Sequence, residues 1–488
     1  MVKSATKTKE KEQESIDRLA PDNDTNKTTK KSEKKGTATN TTTTPEKKKS
    51  KATKTEESTE TPTPEESDTP PASKAEKASP AEQAEDVQLN CQQEKLREQL
   101  NLVKLATPSK PTHAILGNVL IIADEKTQKV TLRVFDLNLG IETKFNTKVI
   151  KSGELTLPVG LLTDIVGHFN RETGINLNTA VDKEGQPTAT LNAETGYYQL
   201  KGMPSKEFPP FPCVDFASTL NISIELIKDA IKRTSFAASS EETKQILTGV
   251  HIKAEQDTVE FAATDGHRLS FVSAKCLSGS KITSPFKFTC PSKTLIQLER
   301  MLSMLSDETN GSTPSANVGI NCSSEEDESD GFEFSFGNTR LVGRYLAGAY
   351  PNYPELLKQK INHKIVLEKA VIIKALERIS VLANTDKTDK IVKIEFKTKE
   401  QQAQISIARN FGKGIETVPA HILEGGNITI GFNLKFLLDG IKNMPSTEIQ
   451  MGLTTSTGPG IITAFGNREN PTLTIETKYL LMPVEFGQ

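Results

Sequence analysis

The stretch Ile227-Lys228-Asp229-Ala230-Ile231-Lys232 sets apolar residues at 227, 230 and 231 and lysines at 228 and 232. At about 3.6 residues per turn the apolar three share one helical face and the two lysines, spaced i,i+4, share another. A second stripe of the same period follows at Leu295, Leu298 and Leu302. The pair recurs on both sides: Leu96, Leu100 and Val103 with Leu161, Leu162, Ile165 and Phe169 before it, Ile372, Leu376 and Ile379 with Leu434, Leu437 and Ile441 after it. The first patterns end at Ala106, Ala237 and Ala383 and the second open at Pro158, Pro291 and Asn433, leaving gaps of 52, 54 and 50 residues. Strand-like alternation such as Val130, Leu132 and Val134 fills the gaps. A helix, strands, helix unit used three times is the reading, each apolar stripe facing a sheet.

A chain of 488 residues has room for about three domains of roughly 100 to 200 residues. Residues 1–86 hold no Phe, Tyr or Trp and are crowded with Lys, Thr, Glu, Ser and Pro, so they bury too little apolar surface to offset the entropy of ordering. They are expected to be a disordered tail and tether. Positions 1–50 carry 13 basic and 8 acidic residues and 51–86 carry 4 and 10, a polyampholyte rather than a basic DNA-binding arm. The remainder holds 44 basic and 45 acidic residues, so any nucleic-acid surface must be local. Cys91, Cys213, Cys276, Cys290 and Cys322 are scattered without paired spacing, which suits a reducing compartment and argues against a zinc site. With no apolar leader or spanning stretch, a soluble, intracellular protein is expected.

Two Pro-rich joints, Phe208-Pro209-Pro210-Phe211-Pro212 and Tyr350-Pro351-Asn352-Tyr353-Pro354, fall between the repeats. The expected division is a tail over 1–86 and domains over 87–213, 214–358 and 359–488. An acidic, Ser-rich run from Cys322 to Gly331 predicts an exposed loop. Cations recur opposite the apolar stripes: Lys95 and Arg97 in the first repeat, Lys228 and Lys232, Lys374 and Arg378 at i,i+4, Lys293 and Arg300, Lys435 and Lys442 at i,i+7. Solvated surface charge is the plain reading of any one helix; recurrence favours a phosphate-facing stripe.

After the strand-like Val259-Glu260-Phe261 comes Ala263-Thr264-Asp265-Gly266-His267-Arg268-Leu269-Ser270. With Ile115-Leu116-Gly117-Asn118, Phe135-Asp136-Leu137, Ala349-Tyr350-Pro351-Asn352-Tyr353 and Tyr479-Leu480-Leu481-Met482-Pro483-Val484, it closely resembles the bacterial replicative sliding clamps, the beta subunit of DNA polymerase III. The resemblance spans roughly residues 89–486. Lys110-Pro111-Thr112-His113 and Asp136-Leu137-Asn138-Leu139-Gly140-Ile141 look most like the cyanobacterial branch.

The resemblance implies an α+β fold of three repeated clamp domains, with helices lining a ring and antiparallel sheets outside, closed as a head-to-tail homodimer. It implies a non-catalytic, cytoplasmic, nucleoid-associated processivity factor without cofactor or metal. Its partners would be double-stranded DNA, the polymerase III catalytic subunit, the clamp loader, repair polymerases and ligase-type proteins; no membrane is involved. By position, Lys110, Lys244, Lys293 and Arg300 look DNA-facing. Gly160 stands where the family often has a basic residue. A partner-peptide pocket would be walled by Leu247, Thr264, Gly266, His267, Arg268 and Leu269 from the middle domain, with Pro351 and Leu356. Leu480, Leu481, Met482, Pro483 and Val484 would complete it, Met482 adapting to varied ligands and Arg268 anchoring a polar ligand group. Glu355 and Glu485 depart from the family pattern and should lower any preference for acidic ligands. Two rival readings are a DNA-bound scaffold without a replicative role and an enzyme using Asp265 and His267 as an acid/base pair or metal ligands; a plain Asp-Gly turn explains Asp265 and Gly266 equally well.

Overall fold

The computed structural model describes residues 87–486 other than 194–195, 214–217, 277–281, 283, 309–316, 324–330, 384–389, 411 and 469–474. The tail over 1–86 and most of the acidic loop after Cys322 therefore lie outside the described residues.

Three helix pairs stand where the periodicity puts them: α1 (Gln93–Lys104) and α2 (Val159–Gly167), α3 (Ile224–Thr234) and α4 (Ser292–Glu308), α5 (Lys369–Ala383) and α6 (Leu434–Lys442). Pro158 and Asn433 are the N-caps of α2 and α6, and Pro291 immediately precedes α4. The Asn433 carboxamide oxygen accepts from the Lys435 and Phe436 amides at 3.0 and 3.2 Å, and the Ser223 hydroxyl accepts from Leu226 at the start of α3. Leu96, Leu100, Val103, Ile227, Ala230, Ile231, Leu295, Leu298 and Leu302 are all buried, as are Ile372, Leu376, Ile379, Leu434, Leu437 and Ile441. Each stripe packs on its helix partner and on neighbouring strands.

One stripe differs from its expected phase. In α2 the buried residues are Val159, Leu162, Thr163 and Val166, while Leu161 is 52% exposed and Ile165 only half-buried. The helix is apolar nearly all round, so sequence period alone leaves its rotation about its axis undetermined.

The strands form antiparallel sheets of five, eight, nine and four strands. Two of these sheets run across the joints between repeats. Leu139–Asn146 pairs with Thr339–Arg344, Thr143 opposite Thr339, and Arg268–Lys275 pairs with Ile475–Leu481, Leu269 opposite Leu480. In both cases the third strand after the first helix of one repeat pairs with the last strand of the next. The same two positions in the remaining repeat ends are Gly412–Pro419 and Gly196–Lys201, and each is the outermost strand of its sheet.

The first joint is locked by a buried carboxylate. Glu142 accepts from Arg133 Nε at 2.5 Å and from Arg340 Nε and Nη2 at 2.9 and 3.2 Å. Both guanidinium groups lie over Phe211 of the Pro-rich joint, 5.4 and 5.2 Å from its centroid. Gly140 makes room for that ring, since a Cβ there would lie 2.9 Å from Phe211 Cε2. Burial by itself would raise the Glu142 pKa, but the hydrogen bonds and charges of Arg340 and Arg133 outweigh it and hold the carboxyl at about 2. A depressed folded-state pKa contributes stability that is complete above the unfolded glutamate value of about 4.5 and is lost as pH falls toward about 2. Acid unfolding followed by circular dichroism should therefore show a loss of stability across that window that Glu142→Gln lacks; identical profiles would refute the assignment.

Candidate partner cleft and cationic helix faces

Where the second joint meets the sheet that spans it, a satellite apolar cluster forms outside the two main cores. Ala262, Leu269, Phe271, Tyr353, Ile461 and Leu480 are buried in it, with Leu356, Ile361 and Met482 packed against them. Above this cluster opens a shallow cleft lined by Thr264, Gly266, Arg268, Leu269, Leu356, Gln359, Pro459, Leu480 and Met482. The Met482 amide donates to the His267 carbonyl at 2.9 Å, which extends the strand pairing and brings the two motifs together although they are far apart in the chain. The joint is held to the same wall: Tyr350 donates to the Ala262 carbonyl at 3.2 Å and Tyr353 to Glu260 at 2.7 Å.

Seven of the sequence-predicted pocket residues meet here; the others do not line it. Leu481 faces the opposite side of its strand, 1% exposed in the core of the last repeat, because successive strand residues point to opposite faces. His267 is exposed, its ring 6.4 Å from that of Phe436. Pro351 lines a neighbouring depression with His251 and Tyr350, and Leu247 lies half-buried in the short helical turn Glu242–Thr248. Beyond Met482 the chain turns away through Pro483, and Val484 pairs its amide with the Gly431 carbonyl at 2.9 Å. Sequence reading missed Gln359 and Pro459. Pro459 sits in Gly458-Pro459-Gly460, a legible turn, but nothing local tells which surface such a turn reaches.

Within the chain, Arg268 is fully engaged. Its Nε donates to Asp265 at 2.9 Å, Nη1 to Asp439 on α6 at 2.8 Å and Nη2 to the Phe236 carbonyl at 2.7 Å, and its guanidinium lies 4.3 Å from the Phe436 centroid. It clips the middle repeat to the last and is also one of the residues lining the cleft. Asp265 also serves as a turn cap, accepting from the His267 and Arg268 amides at 2.9 and 3.1 Å around Gly266, whose φ of +95° suits glycine. These bonds bear out the plain Asp-Gly turn at Asp265 and Gly266. Among the described residues no group of three or more His, Cys, Asp or Glu could hold a metal ion. No helix among them is long and apolar enough to cross a membrane.

The cations divide in two. Lys110, Lys232, Lys293, Arg300, Lys374 and Lys435 are exposed and Lys228 half-buried, with no ion-pair partner among the described residues. Arg378 instead holds Glu416 through two contacts of 2.7 Å, Lys442 pairs with Glu377 at 2.8 Å and Lys244 lies 3.8 Å from Glu241. These three carry less uncompensated charge than their spacing suggests. On α2, Gly160 has open space where a side chain would project, and the exposed Asp164 pairs with Lys104, so that helix presents no cation.

Family models for the N-terminal, central and C-terminal domains of the DNA polymerase III beta subunit match residues 87–212, 221–352 and 355–483 in that order. The chain belongs to the DNA polymerase III beta subunit family. The beta sliding clamp of Synechococcus elongatus is 36% identical over 402 residues, covering 82% of this chain and 100% of the relative. That of Synechocystis sp. is 36% identical over 416 residues with the same coverage. The crystal structure of the Bacillus subtilis sliding clamp is 24% identical and has a TM-score of 0.71, over 82% of this chain and 100% of that one, which shows a shared fold. The three-domain clamp architecture follows, and membership supports a processivity role with DNA, polymerase and clamp loader as the general classes of partner.

Proposed function

We propose that two copies of this chain close head to tail into a six-domain ring around duplex DNA and tether the replicative polymerase, the clamp loader and repair proteins through the cleft at Leu269, Leu480 and Met482. The carrying observation is the strand rule: twice within the chain the third strand of one repeat pairs with the last strand of the next, and only Gly412–Pro419 and Gly196–Lys201 are left at those positions without a partner. Pairing each with the other on a second copy extends the rule and closes the ring. Tyr197, Tyr198 and Ile415 on these edges are exposed in the single chain, as residues awaiting a partner would be.

The cations without an ion-pair partner among the described residues, Lys228, Lys232, Lys293, Arg300, Lys374 and Lys435, with Lys110, would face the DNA, meeting phosphates without reading bases, so the ring slides. The cleft, apolar with one methionine, suits short hydrophobic peptides from several partners. The reading needs no catalysis and no cofactor. It places the protein in the cytoplasm with the nucleoid, its domains over 87–213, 214–358 and 359–488, and its lineage near the cyanobacterial branch on the motifs at Lys110 and Asp136. After loading, the protein should remain on nicked circular DNA and be lost once that DNA is linearised. Equal retention on both templates, scored by gel filtration of the complexes, would sink the ring.

A further inference from the structure

The first helices of the middle and last repeats match residue for residue at an offset of 145: Ile227, Ala230, Ile231 and Thr234 on α3 become Ile372, Ala375, Leu376 and Ile379 on α5, all buried. The same offset carries Arg233 to Arg378 and Phe236 to Val381. In the middle repeat both residues reach over the joint. Arg233 is gripped by Asp229 through Nε, at 2.6 Å, and Nη2, and its Nη1 donates to the Asn443 carbonyl of the last repeat at 3.1 Å. Phe236 stands 5.7 Å from the ring of Tyr479. Asn443 is the C-cap of α6, where the final carbonyls of a helix lack partners within it and carry partial negative charge. So placed, the Arg233 side chain is 6% exposed. The counterparts in the last repeat are open. Arg378 is 59% and Val381 68% exposed. Arg378 also holds a carboxylate through Nε and Nη2, here that of Glu416, which leaves Nη1, the nitrogen Arg233 uses on Asn443, without a bond among the described residues.

We propose that Arg378 is an intersubunit contact whose Nη1 donates to the carbonyl of the partner subunit's His168, at the C-terminus of α2. His168 is the counterpart of Asn443: α2 and α6 are each nine residues long and end on these two caps. The proposal rests on the head-to-tail ring above, which sets the first repeat of a second copy beside the last repeat as the last is set beside the middle one. It gives Arg378 a task other than DNA contact. Glu416 fixes the guanidinium before the partner arrives, so little side-chain freedom is lost on closure, and the cation complements the negative end of the helix it meets.

The test reads dimer dissociation of the full chain by sedimentation equilibrium. Arg378→Gln should weaken the dimer roughly ten- to a hundredfold, one charge-assisted bond being lost at each of two seams. The melt of the same variant diluted to monomer should stay in place, since the side chain is open in the single chain. A second arm measures proximity. In a Cys213→Ser background, which removes the exposed native thiol, the pair Arg378→Cys and His168→Cys should be joined into a covalent dimer by a short bismaleimide, and neither substitution alone should be. A dimer indifferent to Arg378→Gln, or a dimeric double variant that fails to cross-link, overturns the contact and leaves the ring standing. A reduced salt dependence of duplex binding with the dimer unaffected would return Arg378 to the DNA-facing set and overturn the contact as well. Should the unchanged chain sediment as a monomer at every concentration, the ring reading fails and this contact with it.

Discussion

With Tyr197 and Ile415 both replaced by Glu, the chain should sediment as a monomer at concentrations where the unchanged chain sediments as a dimer. Tyr197 is 73% and Ile415 51% exposed in the single chain, so the substitutions remove little packing within a subunit. In the closed ring each of the two seams would bury one of each. Burial of an apolar side chain is worth about 1.5 to 3 kcal/mol, so four of them set the dimer apart from the variant by roughly 6 kcal/mol or more, about four decades in dissociation constant. Glutamates facing an antiparallel partner strand add a desolvation cost on top. Melting temperature should be nearly unchanged when both proteins are held as monomers by dilution. A variant that still sediments as a dimer would mean that these strands are not the seam.

Leu481 and Met482 are neighbours in the chain, and the structure gives them opposite expected results. Leu481→Ala should cost about 2 to 5 kcal/mol of stability, as for other buried leucines, because the side chain is fully enclosed in the core of the last repeat with Phe432 and Leu437. Met482→Ala should leave the thermal melt nearly in place, since Met482 is half-buried at the rim of the cleft. It should lower affinity for a short hydrophobic peptide by several-fold, the loss of about 1 to 2 kcal/mol of apolar contact. Calorimetric melts and titration of a labelled peptide into both variants separate the two effects. A Leu481→Ala protein that melts normally but fails to bind peptide would place Leu481 in the cleft after all.

The contrast between these two residues shows where sequence reading succeeds and where it stops. The helix pairs are legible because Ile227, Ala230 and Ile231 and their counterparts repeat with the period of a helix, and Asn433 announces its own helix by the cap it forms. The octapeptide around His267 and the run from Tyr479 identify the two elements that build the cleft. Which of Leu480 and Leu481 faces it depends on strand phase, set by pairing with Arg268–Lys275 across the joint, and two adjacent leucines carry no alternation from which to read it. Arg268 looked available for a ligand because its three partners, Asp265, Phe236 and Asp439, include one that lies 171 residues away. Arg378 and Lys442 looked like phosphate contacts for the same reason: Glu416 and Glu377 neutralise them through tertiary contacts with no local signature.

The sheets that run unbroken through both joints bear on how the chain comes apart. Covalently the domains are joined by short Pro-rich segments, an arrangement that ordinarily yields modules separable by a protease. Here the middle domain, if excised, would expose Arg268–Lys275 along one side and Thr339–Arg344 along the other, each stripped of a ladder of backbone hydrogen bonds and of the apolar neighbours Leu480 and Ile141. Such a fragment would be an aggregation template with two bare edges. Loss of either joint is therefore expected to destabilise the domains on both sides of it, and cleavage at Pro209 to Pro212 or Pro351 to Pro354 is expected to nick the chain without releasing a middle domain able to stand alone.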